Sequence, residues 1–456
     1  MTMGSMPPAG PPRAYAFPPV TRSRLGRGTR VVTASLRRAP LVTVTLVLHR
    51  AGADADPLGK EGLASLTAAM LLEGTESMDG ATLAERFEGL GSSLAASADW
   101  DAAALSFTVQ TSRLASAMTV LGAVIAAPAF REHDLDRLRA EHGAERLQVM
   151  ADPRALAGAA LAWSCYDSAS RYSRPLEGTR ASVASLMRED LVGFWRARYA
   201  AGAATLIFAG DVDHADSVAL AEALDDQLQS TAPSATPVRT SPRDAHAGVT
   251  LVERAGAPQT ELRVGHLTVP RRHPDFFPMT VMNAVLGGLF SSRINLNLRE
   301  RHGYTYGASS VFDWRVGAGP WFVSTAVNTD ATTPALAEIR SEIDRIRSAE
   351  IDGDELDLAI RYLTGVFPLR FETTAAVAAA LAAQATFELP EDYFDTYRER
   401  IAAVTPHAVM MAARDHLAPD RLQIVAVGDP ASLSGGLSTV AASYRTMRPD
   451  EIEAAP

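Results

Sequence analysis

Hydrophobic and polar residues repeat along the chain in two similar halves. Strands of alternating apolar residues open the halves at 42–48 and 260–266. Apolar strands that stop at a Gly-Asp turn close them, with Gly210 and Gly428 in these turns. The same offset in numbering relates the two opening strands and the two glycines. A constant offset of this kind predicts an internal duplication.

Helical patterns fill each half between its strands. Helices of small residues follow the opening strands at 62–72 and 278–289, and helices at 189–199 and 406–416 precede the closing strands. The charged stretch at 132–149 carries apolar residues at helical spacing, which predicts an amphipathic helix lying on another element. We therefore predict an α+β fold of two homologous halves, each a mainly antiparallel sheet covered by helices, with the strand order left open.

A stretch without large apolar residues divides the two halves. Residues 229–248 are rich in Ser, Thr, Pro and Ala, a composition typical of a linker. The predicted organisation is therefore a disordered lead at 1–24, a first domain at 25–228, this linker, a second domain at 249–445 and a flexible tail at 446–456.

Composition narrows the classes of function. The 456 residues are 47% hydrophobic and 21% charged, which is typical of a globular protein with more than one core. The net charge of −10 disfavours binding to nucleic acid or to an anionic membrane. We find no apolar run of membrane-spanning length and no signal pattern, so we expect a cytoplasmic location. The single cysteine, Cys165, excludes an internal disulfide and a cysteine-based metal site, and we expect it to be buried.

Several segments carry a family resemblance. In chain order, these segments are AGADADP at 51–57, GLASLTAAMLLEGT at 62–75, SRYSRPLEGT at 170–179 and LGGLFSSRINLNLRERHGYTYG at 286–307. In this order and spacing they resemble the insulinase/pitrilysin metallopeptidase family, in its two-domain, mitochondrial-processing-peptidase-like form. The resemblance covers about residues 25–445 and implies the duplicated fold predicted above.

The zinc motif of that family is missing. The family binds zinc through H-x-x-E-H on the helix of the first half, with the Glu acting as base on the metal-bound water. The aligned positions here are Ser65, Ala68 and Ala69, and the motif occurs nowhere else. Glu145 stands where the resemblance places the third ligand, but one carboxylate without imidazole partners holds zinc weakly, and a solvated helix carboxylate is the simpler interpretation. We expect no metal and no other cofactor in this chain.

The second half keeps a pair that related peptidases direct at substrate. The resemblance implies that Arg299 grips a substrate carbonyl or carboxylate and that Tyr306 donates a hydrogen bond to the tetrahedral oxyanion. Alternatively, Arg299 is one more surface charge and Tyr306 a sheet residue, and Tyr304 is a competing tyrosine. Gly287-Gly288 indicates either tight helix packing or a close approach to a partner or substrate.

We therefore expect a non-zinc, substrate-binding subunit of a heterodimeric zinc peptidase. The implied partner is a paralogous chain with H-x-x-E-H, which would hold the zinc, and the implied substrate is an extended peptide that pairs with a sheet edge. The alternatives are a catalytically inactive scaffold, as in the core subunits of the respiratory cytochrome bc complex, and a stand-alone peptide clamp. Cleavage preference, the partner's identity and homodimer formation stay open.

Overall fold

The structure, a computed structural model, describes residues 14–230, 240–244, 246–441 and 443–454. The strands of the first half are β1 Val20–Arg24, β2 Arg30–Ser35, β3 Leu41–His49, β4 Gly74–Thr75, β5 Met78–Asp79, β6 Ala95–Ala98, β7 Ala102–Gln110 and β8 Ala204–Gly210. Its helices are α1 Leu63–Met70, α2 Gly80–Glu88, α3 Leu114–Ala126, α4 Glu132–Ala151, α5 Pro153–Cys165, α6 Arg180–Ala184, α7 Arg188–Arg198 and α8 His214–Asp225.

The second half has a similar order of strands and helices. Its strands are β9 Gly248–Glu253, β10 Gln259–Leu267, β11 Ala308–Phe312, β12 Pro320–Asn328, β13 Gln423–Gly428 and β14 Ser443–Met447. Its helices are α9 Phe276–Asn283, α10 Arg293–Asn295, α11 Thr332–Ser348, α12 Gly353–Val366, α13 Thr374–Thr386, α14 Tyr393–Ala402, α15 Pro406–His416, α16 Pro430–Leu437 and α17 Pro449–Ala454. Two π-helical segments, Ala284–Gly288 and Leu296–Arg301, lie between α9 and β11.

Five strands have the same order in the sheets of the two halves, and the sixth strands, β1 and β14, lie at equivalent edges but differ in direction. The first sheet runs β1-β2-β8-β3-β7-β6 and the second β14-β9-β13-β10-β12-β11. In both, the closing strand is parallel to one neighbour, β2 or β9, and antiparallel to the other, β3 or β10. Strands β3 and β10 start at Leu41 and Gln259, which are related by the same offset as Gly210 and Gly428, and both have nine residues. The predicted fold of two homologous, mainly antiparallel α+β halves is confirmed.

Each half gives one helix to the sheet of the other half. Helix α5 packs on β10 and β13 of the second sheet, whereas α13 packs on β3 and β8 of the first. Hydroxyl contacts mark both crossings, Thr43 to Thr374 at 2.8 Å and Ser164 to Thr250 at 3.3 Å. Each sheet is therefore covered by a helix from the other half, and the halves are interlocked.

The prediction of a disordered lead at 1–24 is wrong for residues 14–24. Strand β1 lies within that range, and Phe17 is buried in the core of the second half, stacked on Phe394 with ring centroids 4.3 Å apart. Burial of an aromatic ring offsets the entropy of ordering this segment. Residues 1–13 lie outside the described residues.

The flexible tail predicted at 446–456 is wrong for residues 446–454. Strand β14 extends to Met447, α17 follows it, and Ile452 is buried. The carboxylate of Glu453 accepts a hydrogen bond from Arg146 on α4 at 2.6 Å, which ties the end of the chain to the first half. In the predicted linker, residues 231–239 and 245 lie outside the described residues, and Gly248 already belongs to β9.

Two further expectations concern Cys165 and membrane-spanning helices. Cys165 is buried, and burial raises the pKa of its thiol to about 12, so it is an inert core residue. No helix in the described part of the chain is by itself long and apolar enough to cross a membrane, and the pair Gly353–Phe371 and Thr374–Thr386 meets that test only together, bent by 113°.

Candidate functional site

The helix that aligns with the zinc-binding helix of the family is firmly anchored at its start. Gly62 precedes α1 with φ 93°, and the backbone N–H groups of Gly62 and Ala64 each donate to the Asp56 carboxylate at 2.8 Å. Asp56 also forms a buried ion pair with Arg171 at 2.9 Å. A Cβ on Gly62 would lie 2.3 Å from the carbonyl oxygen of Glu177, so glycine is required there.

The aligned motif positions on α1 offer no metal ligand. Ala68 is fully buried, Ala69 is partly exposed, and the hydroxyl of Ser65 is buried without a hydrogen-bond partner. Glu145 is exposed on α4, one turn from His142, whose pKa is lowered by burial. Within the described ranges, none of these positions belongs to a group of three side chains close enough to share a metal ion.

Arg299 lies in the second π-helical segment. Its guanidinium stacks over the exposed ring of Phe290, 4.6 Å from the ring centroid, and its Nε lies 3.5 Å from a carboxylate oxygen of Glu300. The side chain is 35% exposed, so the contact orients the guanidinium and leaves N–H donors open to a ligand. Segments of π-helix are rare and often mark functional sites.

Tyr306, not Tyr304, is the tyrosine that solvent and ligands reach. Its side chain is 94% exposed, in a turn that Thr325 braces by donating to the Gly307 carbonyl at 3.0 Å. Tyr304 packs against the core and stacks on His302 with ring centroids 5.0 Å apart. Of the two tyrosines left open by the sequence, Tyr306 is therefore the accessible one.

A cavity of about 490 Å³ brings these segments together. Phe290 and Tyr306 line it, with Gly288 and the exposed Arg154 of α5, against the face of β10, β12 and the edge strand β11. Arg299 does not line the cavity itself, but it stacks on Phe290, which does. Of the two residues named from the sequence, Tyr306 therefore borders the cavity and Arg299 lies behind Phe290; Phe290 and Arg154 are further lining residues that the sequence did not indicate.

Side-chain hydrogen bonds and the close approach of a glycine hold the walls of this cavity together. The Asn295 side chain donates to the Phe290 carbonyl at 2.6 Å and accepts from the Ala308 N–H at 2.9 Å, which joins the Phe290 loop to β11. A Cβ on Gly287 would lie 2.4 Å from the hydroxyl of Ser310 on β11. The first glycine of the pair therefore permits tight packing against the edge strand, and the second forms part of the cavity wall.

The first half carries an equivalent but chemically different cavity. It encloses about 830 Å³ on the face of β3, β7 and the edge strand β6, beside α13. Ser106 lines it at the position equivalent to Ser324, which lines the cavity of the second half. Its lining contains neither Arg nor Tyr, and Glu88 is its one charged residue. Of these two cavities, only the second therefore has a guanidinium and a phenol in its lining.

Comparisons with known proteins agree with this architecture. An uncharacterized zinc protease of Streptomyces coelicolor is 25% identical over 407 residues, 87% of either chain, and one of Rickettsia bellii is 23% identical over 74% of this chain and 80% of its own. The crystal structure of a peptidase M16 inactive domain from Pseudomonas fluorescens superposes with a TM-score of 0.84 at 26% identity, covering 90% of this chain and 98% of that one.

More distant structures share the fold alone. A protease from Helicobacter pylori superposes with a TM-score of 0.84 at 16% identity, covering 91% of this chain and all of that one.

Family models match along most of the chain: the insulinase (peptidase family M16) model at residues 30–179, and the peptidase M16 inactive-domain model at 185–363. With its duplicated fold, its relatives and its degenerate α1, the chain belongs to the insulinase family, peptidase family M16.

Proposed function

We propose that this chain is the non-zinc, substrate-binding subunit of a two-chain zinc peptidase. The observation that carries the proposal is an exposed Tyr306 that shares an open cavity with Phe290, the residue on which Arg299 stacks, in a chain whose aligned zinc positions are Ser, Ala and Ala. The proposed partner is a paralogous chain with H-x-x-E-H, and the catalytic zinc belongs to that chain.

The chemistry of the two side chains fits this division of labour. Attack of zinc-bound water on a peptide carbonyl produces an oxyanion, and a phenol O–H directed at that oxygen stabilises it. A guanidinium offers a planar fork of donors for a substrate carbonyl or carboxylate. Neither group activates water by itself, so this chain alone is expected to be inactive.

Sheet edges in both halves suit an extended peptide. Strand β6 ends the first sheet and β11 the second, and neither has an outer partner strand in the described part of the chain. An unfolded peptide adds to such an edge through main-chain hydrogen bonds, while neighbouring cavities receive its side chains. We therefore propose extended peptides as the substrate class and a cytoplasmic location for the complex.

A reconstitution assay tests the proposal. Hydrolysis of a fluorogenic peptide is measured with this chain alone, with the H-x-x-E-H chain alone and with the two mixed, each with and without a zinc chelator. We expect activity only in the mixture and its loss with chelator. Equal activity of the partner alone and of the mixture would refute the shared site and favour a scaffold.

A further inference from the structure

A second cluster of polar side chains lies in the second half, away from the cavity. His273, Asp275 and His416 place their ligand atoms all within 4.8 Å of one another. The Nε2 atom of His416 lies 2.7 Å from Oδ2 of Asp275, and Nδ1 of His273 lies 3.8 Å from the same oxygen. No other group of three His, Cys, Asp or Glu in the described ranges reaches this spacing. None of the three residues lines the cavity beside Tyr306.

Two packed helices hold the cluster. Asp275 is the residue immediately before α9, and His416 is the last residue of α15, which packs against α9. The partial positive charge at the start of α9 favours an ionised Asp275, and the partial negative charge at the end of α15 favours a cation beside His416. Both helix ends therefore support a carboxylate that binds a cation.

The two imidazoles lie against each other and against Asp275. The rings of His273 and His416 meet edge to face with centroids 4.9 Å apart and planes at 78°. The Asp275 N–H donates to Nδ1 of His273 at 3.2 Å, so this nitrogen is unprotonated, and a metal ion bound to it would replace that hydrogen bond. An unprotonated imidazole nitrogen and an ionised carboxylate are the forms that bind a metal ion.

Neighbouring groups leave the cluster free to bind a cation. The guanidinium of Arg272 is paired with Glu388 at 2.7 Å, so its charge is compensated elsewhere. His266 lies nearby but contributes no ligand, because its Nε2 accepts from the Ala418 N–H at 3.1 Å and its Nδ1 is hydrogen-bonded to the Leu267 carbonyl at 2.8 Å.

We propose that His273, Asp275 and His416 bind one Zn²⁺ ion that clamps the start of α9 to the end of α15. Zinc bonds of about 2.0–2.2 Å in tetrahedral geometry separate neighbouring ligand atoms by about 3.4 Å. The observed separations are 2.7 and 3.8 Å, so Zn²⁺ would replace the His416–Asp275 hydrogen bond and move those two atoms apart by about 0.7 Å. Three protein ligands leave one position for water. Helix α9 continues directly into the Ala284–Gly288 segment, so the ion steadies the helix that leads to the cavity wall.

Metal binding by the tag-free full chain tests this proposal. After removal of metal with a chelator, Zn²⁺ is titrated by calorimetry and the bound metal is counted after dialysis. We expect one Zn²⁺ per chain, a rise in Tm on binding, and visible absorption bands of tetrahedral Co²⁺ when cobalt replaces zinc. Less than 0.1 Zn²⁺ per chain at saturation would overturn the proposal and leave a hydrogen-bonded His–Asp pair.

Variants locate the ion. His416→Ala and His273→Ala each remove a ligand, and because loss of an outer-shell partner alone costs about 10–100-fold in affinity, we expect at least that loss. The matched control is His407→Ala on the same helix, whose exposed imidazole contacts Glu350 at 3.0 Å; it should bind zinc like the wild type. His273 is more exposed than His416, so it is also replaced by Gln. If His416→Ala does not fold, zinc binding by His273→Gln tests the site instead. Undiminished binding in the folded His273 variants would refute the site.

Discussion

The guanidinium of Arg299 lies 4.6 Å from the ring centroid of Phe290, and this contact joins the second π-helical segment to a residue that lines the cavity. Phe290 is 73% exposed, so the contact contributes only about 0.5–1 kcal/mol, typical of an exposed cation–π pair. That is enough to favour one orientation of Arg299 and too little to prevent it from moving onto a substrate. The stack therefore holds the arginine beside Phe290, which lines the same cavity as Tyr306.

The first prediction concerns the pair itself. Arg299→Ala and Tyr306→Phe should each reduce the turnover of the reconstituted complex by about 10²-fold or more, as expected for loss of an oxyanion donor or a substrate grip. The measurement is kcat and KM for a fluorogenic peptide, with the partner chain at a saturating concentration. Because Tyr306 is 94% exposed, neither the Tm nor association with the partner should change in Tyr306→Phe.

Tyr362→Phe provides the matched control for that experiment. Tyr362 is a 51% exposed tyrosine on α12, outside both cavities, so removal of its hydroxyl should leave turnover unchanged. Turnover at the wild-type level in both Arg299→Ala and Tyr306→Phe would show that the pair does not act on substrate.

The second prediction concerns the glycine behind the cavity wall. Gly287→Ala would place a methyl group 2.4 Å from the Ser310 hydroxyl and 2.7 Å from its backbone nitrogen, so β11 must shift. Overpacking of this kind costs about 1–3 kcal/mol, and we expect a lower Tm. The control is Gly365→Ala in α12, where nothing lies within 4 Å and the better helix former should stabilise by about 0.5–1 kcal/mol. A Gly287→Ala variant as stable as the wild type would contradict the close approach.

The sequence predicted the parts of this fold that depend on local pattern. The constant offset between the halves is visible because equivalent strands keep the same alternation and end in the same turn, as at Gly210 and Gly428. The exchange of α5 and α13 between the halves was not predictable, because helical periodicity says which face is apolar and not which sheet covers it. The same limit explains the errors at both chain ends, where Phe17 and Ile452 pack on distant elements.

The sequence named candidate residues for the site but not their surroundings. Arg299 and Tyr306 were chosen through their resemblance to the family motif, but only three-dimensional packing distinguishes the exposed Tyr306 from Tyr304. Arg154 lies more than a hundred residues before the rest of the cavity and reaches it through the exchanged helix. The His–Asp cluster was missed for the same reason, since His416 lies far from Asp275 along the chain.

The third prediction concerns the lost zinc motif. Introducing Ser65→His, Ala68→Glu and Ala69→His together should destabilise the chain and yield no peptide hydrolysis by the chain alone. Ala68 is fully buried, so the new carboxylate would enter the core without a partner, at a cost of about 3 kcal/mol or more. Thermal unfolding and hydrolysis with added zinc are the measurements. The double variant without Ala68→Glu is the control and should be more stable than the triple one; zinc-dependent hydrolysis by the triple variant would overturn this expectation.

The last prediction concerns Asp54, in the turn between β3 and α1. Burial and the nearby Asp101 raise the pKa of its carboxyl from 3.8 to about 7, and one of its oxygens is buried without a hydrogen-bond partner. The folded chain therefore holds this proton to a higher pH than the unfolded chain. The contribution of this proton to the free energy of unfolding is fully present below pH 3.8, falls as the pH rises to about 7 and is lost above that value.

Asp54→Asn removes the titrating carboxyl, so the free energy of unfolding of the variant should not show this decrease with rising pH. A pKa rise of this size corresponds to about 4 kcal/mol, and because Asp54 is partly exposed, we expect about 1–2 kcal/mol. The free energy of unfolding of the variant relative to the wild type should therefore rise by that amount between pH 4 and pH 8, measured by denaturant titration. In Asp357→Asn, which removes an exposed carboxylate, the difference should stay nearly constant. A flat profile for Asp54→Asn would mean that Asp54 is ionised in the folded chain at pH 5, with Arg198 compensating its charge.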